Sequence, residues 1–210
     1  SEALASDGRA LFAGSGGSTP SPIYARLAQA DLDWARVTAT LVDERYVPEA
    51  SPDSNAALLK RALLTSPAAV AQFIPLYSPA VTVDRAAALA SHTLAAEGRP
   101  LDAVLLGMGE DGHICSMFPG STTLTTLLTL SLKPAVYGVP AGRDGAAPPQ
   151  ERLTLNLPWL AGARCVVLAL TGAKKRAVFE REAAGDPADH EDRDRPEQRH
   201  GEAPPEARRR

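Results

Sequence analysis

The chain of 210 residues contains only two cysteines, few aromatic side chains and no long apolar run. Cys115 and Cys165 are too few for a disulfide framework and form no CxxC pair, which predicts a reducing, cytoplasmic setting. No stretch approaches the roughly 18 consecutive apolar residues of a membrane-spanning helix. The first residues also lack the basic region and apolar core of a secretory signal, so the sequence predicts neither membrane insertion nor export.

Charge is unevenly distributed along the chain. The net charge is −3, from 22 basic and 25 acidic residues, but ten of the acids and seven of the bases lie in residues 180–210. By subtraction, residues 1–179 hold fifteen of each sign and have no basic field that would attract nucleic acid. Aromatic residues make up only 5% of the chain, which disfavours base stacking, so we expect no nucleic-acid partner.

The C-terminal segment differs in composition from the rest of the chain. Residues 180–210 contain no Val, Ile, Leu, Met, Phe, Trp, Tyr or Cys. A segment without apolar side chains cannot offset the conformational entropy that ordering it would cost. The sequence therefore predicts a single domain over residues 1–183 and a polar, charged, disordered tail over residues 184–210.

Short β-like runs alternate with segments that carry Ala and Leu at helical spacing. Strands are predicted at residues 9–13, 37–42, 73–77 (short or at an edge, because Pro75 interrupts it), 101–106, 135–139, 152–156 and 165–170. Helices are predicted from about residue 18, capped by Ser or Thr and with Ile23, Leu27 and Ala28 on one face, and over 53–64, 84–97 and 173–182. Residues 121–150 are otherwise expected to be irregular. The alternation predicts an α/β, Rossmann-like three-layer αβα fold whose mainly parallel sheet binds ligands at its carboxyl edge.

The first loop at that edge, residues 14–20, is rich in glycine and leads from a strand into a helix. Glycines expose main-chain N–H groups and a helix N-terminus favours an anion, so this loop suits a phosphate group. A tight turn with a Ser or Thr cap explains the same residues without a ligand.

The second loop, residues 43–48, places three charged residues directly after an apolar strand. Arg45 suits a phosphate through a bidentate, charge-assisted hydrogen bond. The alternative is that Arg45 forms an ion pair with Asp43 or Glu44 on a solvated loop.

The third loop, residues 105–116, matches G-x-G-x-x-G after a strand. A dinucleotide site would also need an acid about twenty residues further on, and no Asp or Glu occurs between Asp111 and Asp144. His113, beside three glycines, is a candidate general base at neutral pH, or else a structural histidine. Cys115 is either a nucleophile or a small core residue.

The fourth loop places Lys174, Lys175 and Arg176 at the start of a helix, where the helix dipole disfavours cations. An anion nearby would account for this, although solvated bases remain the alternative.

Two other chemistries are not indicated. The sequence has no G-x-S-x-G motif, which forms the nucleophile elbow of serine hydrolases. His190 and His200 lie in the tail and His92 is isolated, so no zinc cluster is predicted.

Taken together, the loops resemble the 6-phosphogluconolactonases of the glucosamine-6-phosphate isomerase/6-phosphogluconolactonase superfamily. The similar stretches, in the family's order, are SGGSTP (15–20), VDERYVP with SN (42–48 and 54–55), LDAVLLGMGEDGHICSMFPG (101–120), PPQERLTLNLPWL (148–160) and TGAKKRAV (171–178). The resemblance implies hydrolysis of 6-phosphoglucono-δ-lactone to 6-phosphogluconate in the pentose phosphate pathway, without metal or cofactor. It implies His113 as general base and a substrate site formed by Gly16, Gly17, Ser18, Thr19, Arg45, Gly109, Asp111, Gly112, Arg152 and Lys175, with Arg45 and Lys175 at the phosphate.

Two other functions remain open on this resemblance. An amino-sugar phosphate isomerase/deaminase shares the fold, but Ser116-Met117-Phe118 stands here where the deaminase pattern resembles Phe-Asn-Glu. A non-catalytic sugar-phosphate-binding relative is the second alternative. The polar C-terminal segment replaces one that continues the fold in the family, so we expect a truncated or frameshifted end that reduces activity.

Overall fold

Strands and helices alternate along the residues that the computed structural model describes, 2–80, 82–142 and 149–185. The strands are β1 (Ala10–Gly14), β2 (Val37–Leu41), β3 (Asp43–Arg45), β4 (Gln72–Phe73), β5 (Ala103–Leu106), β6 (Val136–Val139), β7 (Arg152–Leu155) and β8 (Val166–Leu168). The α-helices are α1 (Glu2–Asp7), α2 (Pro20–Leu27), α3 (Asn55–Ala62), α4 (Val83–Ala95), α5 (Leu124–Leu128), α6 (Leu157–Ala161) and α7 (Ala173–Ala183). The predicted polar tail lies outside the described residues from residue 186 onward.

Five strands form a parallel sheet in the order β4-β2-β1-β5-β8. Ala10 pairs with Val37 on one side of β1, and Phe12 pairs with Ala103 on the other. All five residues of β2 are buried, as expected for a central strand that is covered on both faces. This sheet confirms the predicted α/β class. The edge strand β4 overlaps the predicted strand 73–77 only at Phe73 and ends before Pro75, which cannot donate a ladder hydrogen bond.

A second, three-stranded antiparallel sheet, in the order β3-β7-β6, was not predicted. Residues 43–45, expected to be a loop, form β3 and pair with β7. Val42 joins the two sheets, because its N–H donates to Gly14 O (3.0 Å) and its carbonyl accepts from Leu155 N (2.9 Å). The chain therefore passes from one sheet into the other within a single residue.

The buried face of α2 also differs from the prediction. Ile23 is 39% exposed, whereas Tyr24 and Ala28 are fully buried. Tyr24 is buried because its ring packs edge-on against Phe12 (6.2 Å between centroids) while its hydroxyl donates to Ser15 O (2.6 Å). Tyr24, which was not among the predicted apolar residues of this helix, thus anchors it.

Two short helices were not predicted: α5 lies in the segment 121–150 that was expected to be irregular, and α6 lies between the predicted strands 152–156 and 165–170. In α5, which lies within the Thr-rich segment, Leu127 is fully buried. In α6, Pro158 occupies the first turn, where its missing N–H costs no hydrogen bond. Neither segment is long enough to show a helical period. Among the described residues, no helix has the length and apolar content that crossing a bilayer requires.

Candidate active site

A cleft of about 310 Å³ lies where β1, β2 and β5 end. It is lined by Ser15, Gly16, Gly17, Ser18, Thr19, Pro20, Asp43, Arg45, Asn55, Gly107, Met108, Gly109, His113, Cys115, Phe118, Arg152 and Lys175. Four loops that are distant in sequence therefore meet in one place. Of the predicted site residues, only Asp111 and Gly112 do not line the cleft, and both belong to the loop that carries His113.

The imidazole of His113 is held by a carboxylate. Its Nδ1 lies 2.6 Å from Oδ1 of Asp111, which also accepts from the His113 main-chain N–H at 3.3 Å. Burial acts to raise the pKa of Asp111, but the hydrogen bonds and charge of His113 outweigh it and hold that pKa below its ordinary value. An ionised carboxylate only accepts hydrogen bonds, so Nδ1 carries the proton and Nε2 is the nitrogen that can accept one.

Close backbone packing fixes this loop. A Cβ on Gly109 would overlap the His113 ring and the Asp111 carboxylate, so only glycine leaves room for the pair. The Gly109 N–H donates to His113 O at 2.8 Å, and Gly112 adopts a φ of 89°. Cys115 has a φ of 52°, a left-handed conformation that is uncommon outside glycine and often marks functional loops.

Cys115 behaves as a core residue. It is 7% exposed, and burial, with the nearby charge of Asp43, raises the pKa of its thiol well above the ordinary value. A protonated thiol is a poor nucleophile. Between the two alternatives for this cysteine, the geometry supports the small packed residue.

Phe118 contacts His113 and lies near Arg152 of the second sheet, and it was not among the predicted site residues. Its ring lies 4.4 Å from the His113 ring, between centroids, and the guanidinium of Arg152 lies 6.0 Å from its centroid. The Phe118 ring therefore contacts the imidazole and lies near a guanidinium of the same cleft.

Two arginines face each other across the antiparallel sheet. Arg45 on β3 pairs in register with Arg152 on β7, and like charges directly opposite each other are destabilising. Burial lowers the pKa of Arg152, and the charge of Arg45 lowers it further. Among the described residues, the Nε atoms of both are buried without a hydrogen-bond partner. Two opposed cations with unpaired Nε atoms are chemically suited to an anion.

The alternative for Arg45, an ion pair on a solvated loop, is wrong. Glu44 is fully buried and accepts from the main-chain N–H groups of Arg45 (2.7 Å), Asn55 and Ala56 (both 2.8 Å) and from Ser54 Oγ (3.1 Å). Burial raises the pKa of Glu44, and these donors act against the rise. The Arg45 guanidinium instead donates to the Asp53 carbonyl.

Lys175 lines the cleft from the first turn of α7, whereas its neighbours do not. Lys174 is largely exposed, 3.8 Å from Glu110, and Arg176 pairs with Glu180 at 2.7 Å. Thr19 occupies the N-cap position of α2, but its side chain makes no capping bond. Its hydroxyl instead lies 3.0 Å from that of Thr171, which ties the glycine loop to the loop before α7.

Three further buried polar residues line the cleft and were not among the predicted site residues: Ser15, Asp43 and Asn55. Ser15 Oγ has no hydrogen-bond partner among the described residues. Asp43 accepts from Ser116 Oγ at 2.7 Å and from the side-chain amide of Asn55 at 3.4 Å. All three lie inside or beside the recognised motifs, but the sequence alone does not show that they turn inward.

Within the described residues, no group of three or more His, Cys, Asp or Glu side chains is placed to hold a metal ion.

Comparison with known proteins places this site in a family. A family model described as glucosamine-6-phosphate isomerases/6-phosphogluconolactonase matches residues 1–201. The 6-phosphogluconolactonase of Rhizobium meliloti (strain 1021) is 45% identical over 188 residues, 89% of this chain and 79% of that protein. The 6-phosphogluconolactonase of Pseudomonas aeruginosa is 42% identical over 183 residues, 84% of this chain and 73% of that protein.

Solved structures agree with the sequence relatives. The crystal structure of a 6-phosphogluconolactonase from Shewanella baltica OS155 superposes with a TM-score of 0.78 at 35% identity, covering 86% of this chain and 75% of that one. A 6-phosphogluconolactonase from Trypanosoma brucei superposes with a TM-score of 0.69 at 30% identity, covering 84% and 75%. These comparisons confirm the resemblance that the motifs indicated.

Proposed function

We propose that this chain, which belongs to the glucosamine-6-phosphate isomerase/6-phosphogluconolactonase family, hydrolyses 6-phosphogluconolactone to 6-phosphogluconate. The observation that carries the proposal is the single cleft in which His113 and three cations, Arg45, Arg152 and Lys175, meet. A candidate base and three cations in the same cleft match a lactone that carries a phosphate. The curated relatives at 36–45% identity, all named 6-phosphogluconolactonase, support the same reaction.

His113 is the proposed general base. Its Nε2 accepts a proton from water as the water oxygen attacks the lactone carbonyl carbon. The carbonyl oxygen becomes an oxyanion, and when the carbonyl re-forms, the bond to the ring oxygen breaks. The imidazolium returns its proton to that ring oxygen, so one water is consumed and a ring-opened acid is released. Asp111 holds the ring and stabilises its charged form.

The phosphate is proposed to bind to the cations of the cleft. Arg45 and Arg152 are opposed like charges whose repulsion an anion relieves. Lys175 and the glycine-rich residues 16–19 approach from the parallel sheet, where a helix start adds favourable dipoles. We propose that the reaction takes place in the cytoplasm, in the pentose phosphate pathway.

The direct test is lactone hydrolysis by the full chain, followed by loss of the lactone signal and corrected for the spontaneous reaction. We expect a rate proportional to protein concentration. Glucosamine 6-phosphate serves as the second substrate, because its conversion would instead support the isomerase/deaminase alternative. Binding of 6-phosphogluconate without any acceleration of hydrolysis would identify a non-catalytic relative.

A further inference from the structure

The side chain of Asn55 is a buried part of the cleft whose orientation is fixed. Asn55 is the first residue of α3 and is 2% exposed. Its Nδ2 donates to Asp43 O at 3.0 Å and to Asp43 Oδ1 at 3.4 Å. Both of these oxygens accept hydrogen bonds, so the NH₂ group, and not the amide oxygen, must face Asp43. The amide oxygen therefore points the other way.

That amide oxygen has no protein partner. Among the described residues, Oδ1 of Asn55 is buried and accepts no hydrogen bond, although the residue lines the cleft. A Cβ on Gly16 would overlap this amide, so the glycine allows the oxygen to approach the glycine-rich loop. A buried acceptor without a donor is costly and marks a place where a bound group completes the site.

The chemistry of the cleft indicates which group of a ligand could donate a hydrogen bond to the Asn55 amide oxygen. Phosphate and carboxylate oxygens only accept hydrogen bonds, so neither satisfies an amide oxygen. The cations of the cleft suit an anion, and one Nη of Arg45 already donates to Asp53 O. On a phosphorylated sugar lactone, the groups that can donate a hydrogen bond to the amide oxygen are the ring hydroxyl groups.

We propose that Asn55 is a specificity-determining residue, whose amide oxygen accepts a hydrogen bond from one ring hydroxyl of the bound sugar lactone. The inference rests on the proposed function and extends it from the phosphate and the carbonyl to the hydroxyl groups between them. A site that holds an acceptor for a hydroxyl rejects the analogue without it, because the acceptor is then left unpaired.

The experiment compares kcat/KM for 6-phosphogluconolactone and its 2-, 3- and 4-deoxy analogues in the wild type, Asn55→Ala and Ser54→Ala. We expect the wild type to discriminate against one of the three analogues by roughly 5- to 150-fold. Asn55→Ala should lose that discrimination and treat this analogue like the other two. Ser54→Ala is the matched control, because it removes a bond to Glu44 and the α3 cap but leaves the cleft amide in place, so its discrimination ratio should equal that of the wild type.

The proposal is overturned if Asn55→Ala and the wild type discriminate equally against every analogue. A second measurement covers the case in which the variant does not fold. The wild type alone should show a lower kcat/KM for one of the three deoxy lactones than for the other two, and equal values for all three would refute the role of Asn55. The proposed function fails separately, by absence of lactone hydrolysis in the wild type.

Discussion

His113 and Asp111 form a pair in which Nδ1 and Oδ1 are 2.6 Å apart, two residues from each other in the chain. Because the partners belong to one glycine-rich turn, the imidazole is oriented by its own loop and not by a distant element. The turn follows β5, which is hydrogen-bonded on both sides by β1 and β8. The imidazole thus lies in a turn that follows a strand paired on both sides, while its orientation depends on contacts within that turn.

Replacing His113 by alanine should remove the base and leave the phosphate contacts in place. General-base catalysis contributes typically about 10²–10⁴-fold, so kcat for His113→Ala should fall by that factor. Affinity for 6-phosphogluconate, measured by calorimetry, should change little. His92→Ala, on the remote helix α4, is the control and should keep full activity. A wild-type rate in His113→Ala would remove this residue from the mechanism.

Gly109→Ala should disturb the pair without deleting either member. The added methyl group would overlap the His113 ring and the Asp111 carboxylate, so the ring must shift. Misplacement of a catalytic group by about 1 Å can cost roughly 10²-fold in rate, and we expect kcat to fall by about that much while affinity for 6-phosphogluconate is retained. Gly162→Ala is the control for a glycine substitution outside the cleft, because Gly162 has a φ of −80° and the atom nearest to an added Cβ is Pro158 O at 3.3 Å. Equal kcat values in the two variants would contradict the packing argument.

Arg45→Ala should weaken binding more than it slows chemistry. A charge-assisted hydrogen bond contributes about 1.5–3 kcal/mol, so we expect KM to rise about 10- to 150-fold with a smaller change in kcat. Arg36→Ala removes the same charge from an exposed position, where Arg36 lies 3.9 Å from Asp33, and should leave KM unchanged. Steady-state kinetics on both variants measures the difference, and an unaltered KM in Arg45→Ala would exclude a role at the phosphate.

Glu44→Gln should destabilise the fold. The carboxylate accepts four hydrogen bonds, whereas the amide directs an NH₂ group at some of the same donors. Leaving buried donors unpaired costs about 1–3 kcal/mol each, and we expect the free energy of unfolding in urea to drop by at least that amount. Glu49→Gln is the matched control, because Glu49 is half-exposed in its ion pair with Lys60 and should cost less than about 1 kcal/mol. Similar losses of unfolding free energy in both variants would contradict the role of Glu44 as the acceptor for the first main-chain N–H groups of α3.

The two cysteines should differ in reactivity toward iodoacetamide at pH 8. Alkylation requires the thiolate, and the pKa of Cys115 is raised by burial and by Asp43, so less of its thiolate exists at this pH. Cys165 is exposed. Peptide mass spectrometry over time should therefore show Cys165 modified first, with Cys115 slower by about tenfold or more. Comparable rates would mean that the cleft opens widely around Cys115.

The parallel sheet and the loops at its carboxyl edge were predictable because the signals are local. An apolar run such as residues 101–106, followed by glycine, indicates a buried strand and a turn without reference to any other segment. His113 lies in the loop that follows one of these strands, so its position at the cleft could be predicted from the order of the chain. Lys175, at the start of a helix, could be placed for the same reason.

The antiparallel sheet was not predictable, because Asp43-Glu44-Arg45 has no apolar alternation. These residues become a strand only when β7, more than a hundred residues later, supplies the hydrogen-bond partners. The opposition of Arg45 and Arg152 and the burial of Glu44 both depend on that long-range pairing. Tyr24 and Asn55 were missed for a related reason, since a side chain that combines polar and apolar character can face either way until its partners are known.

Val42 bonds through its N–H to the parallel sheet and through its carbonyl to the antiparallel one. The parallel sheet, which leads into the glycine-rich loop, and the antiparallel sheet, which carries Arg45 and Arg152, are thus joined by main-chain hydrogen bonds. No side-chain substitution removes these bonds directly, so substitutions in the loops should alter rate and affinity without separating the two sheets.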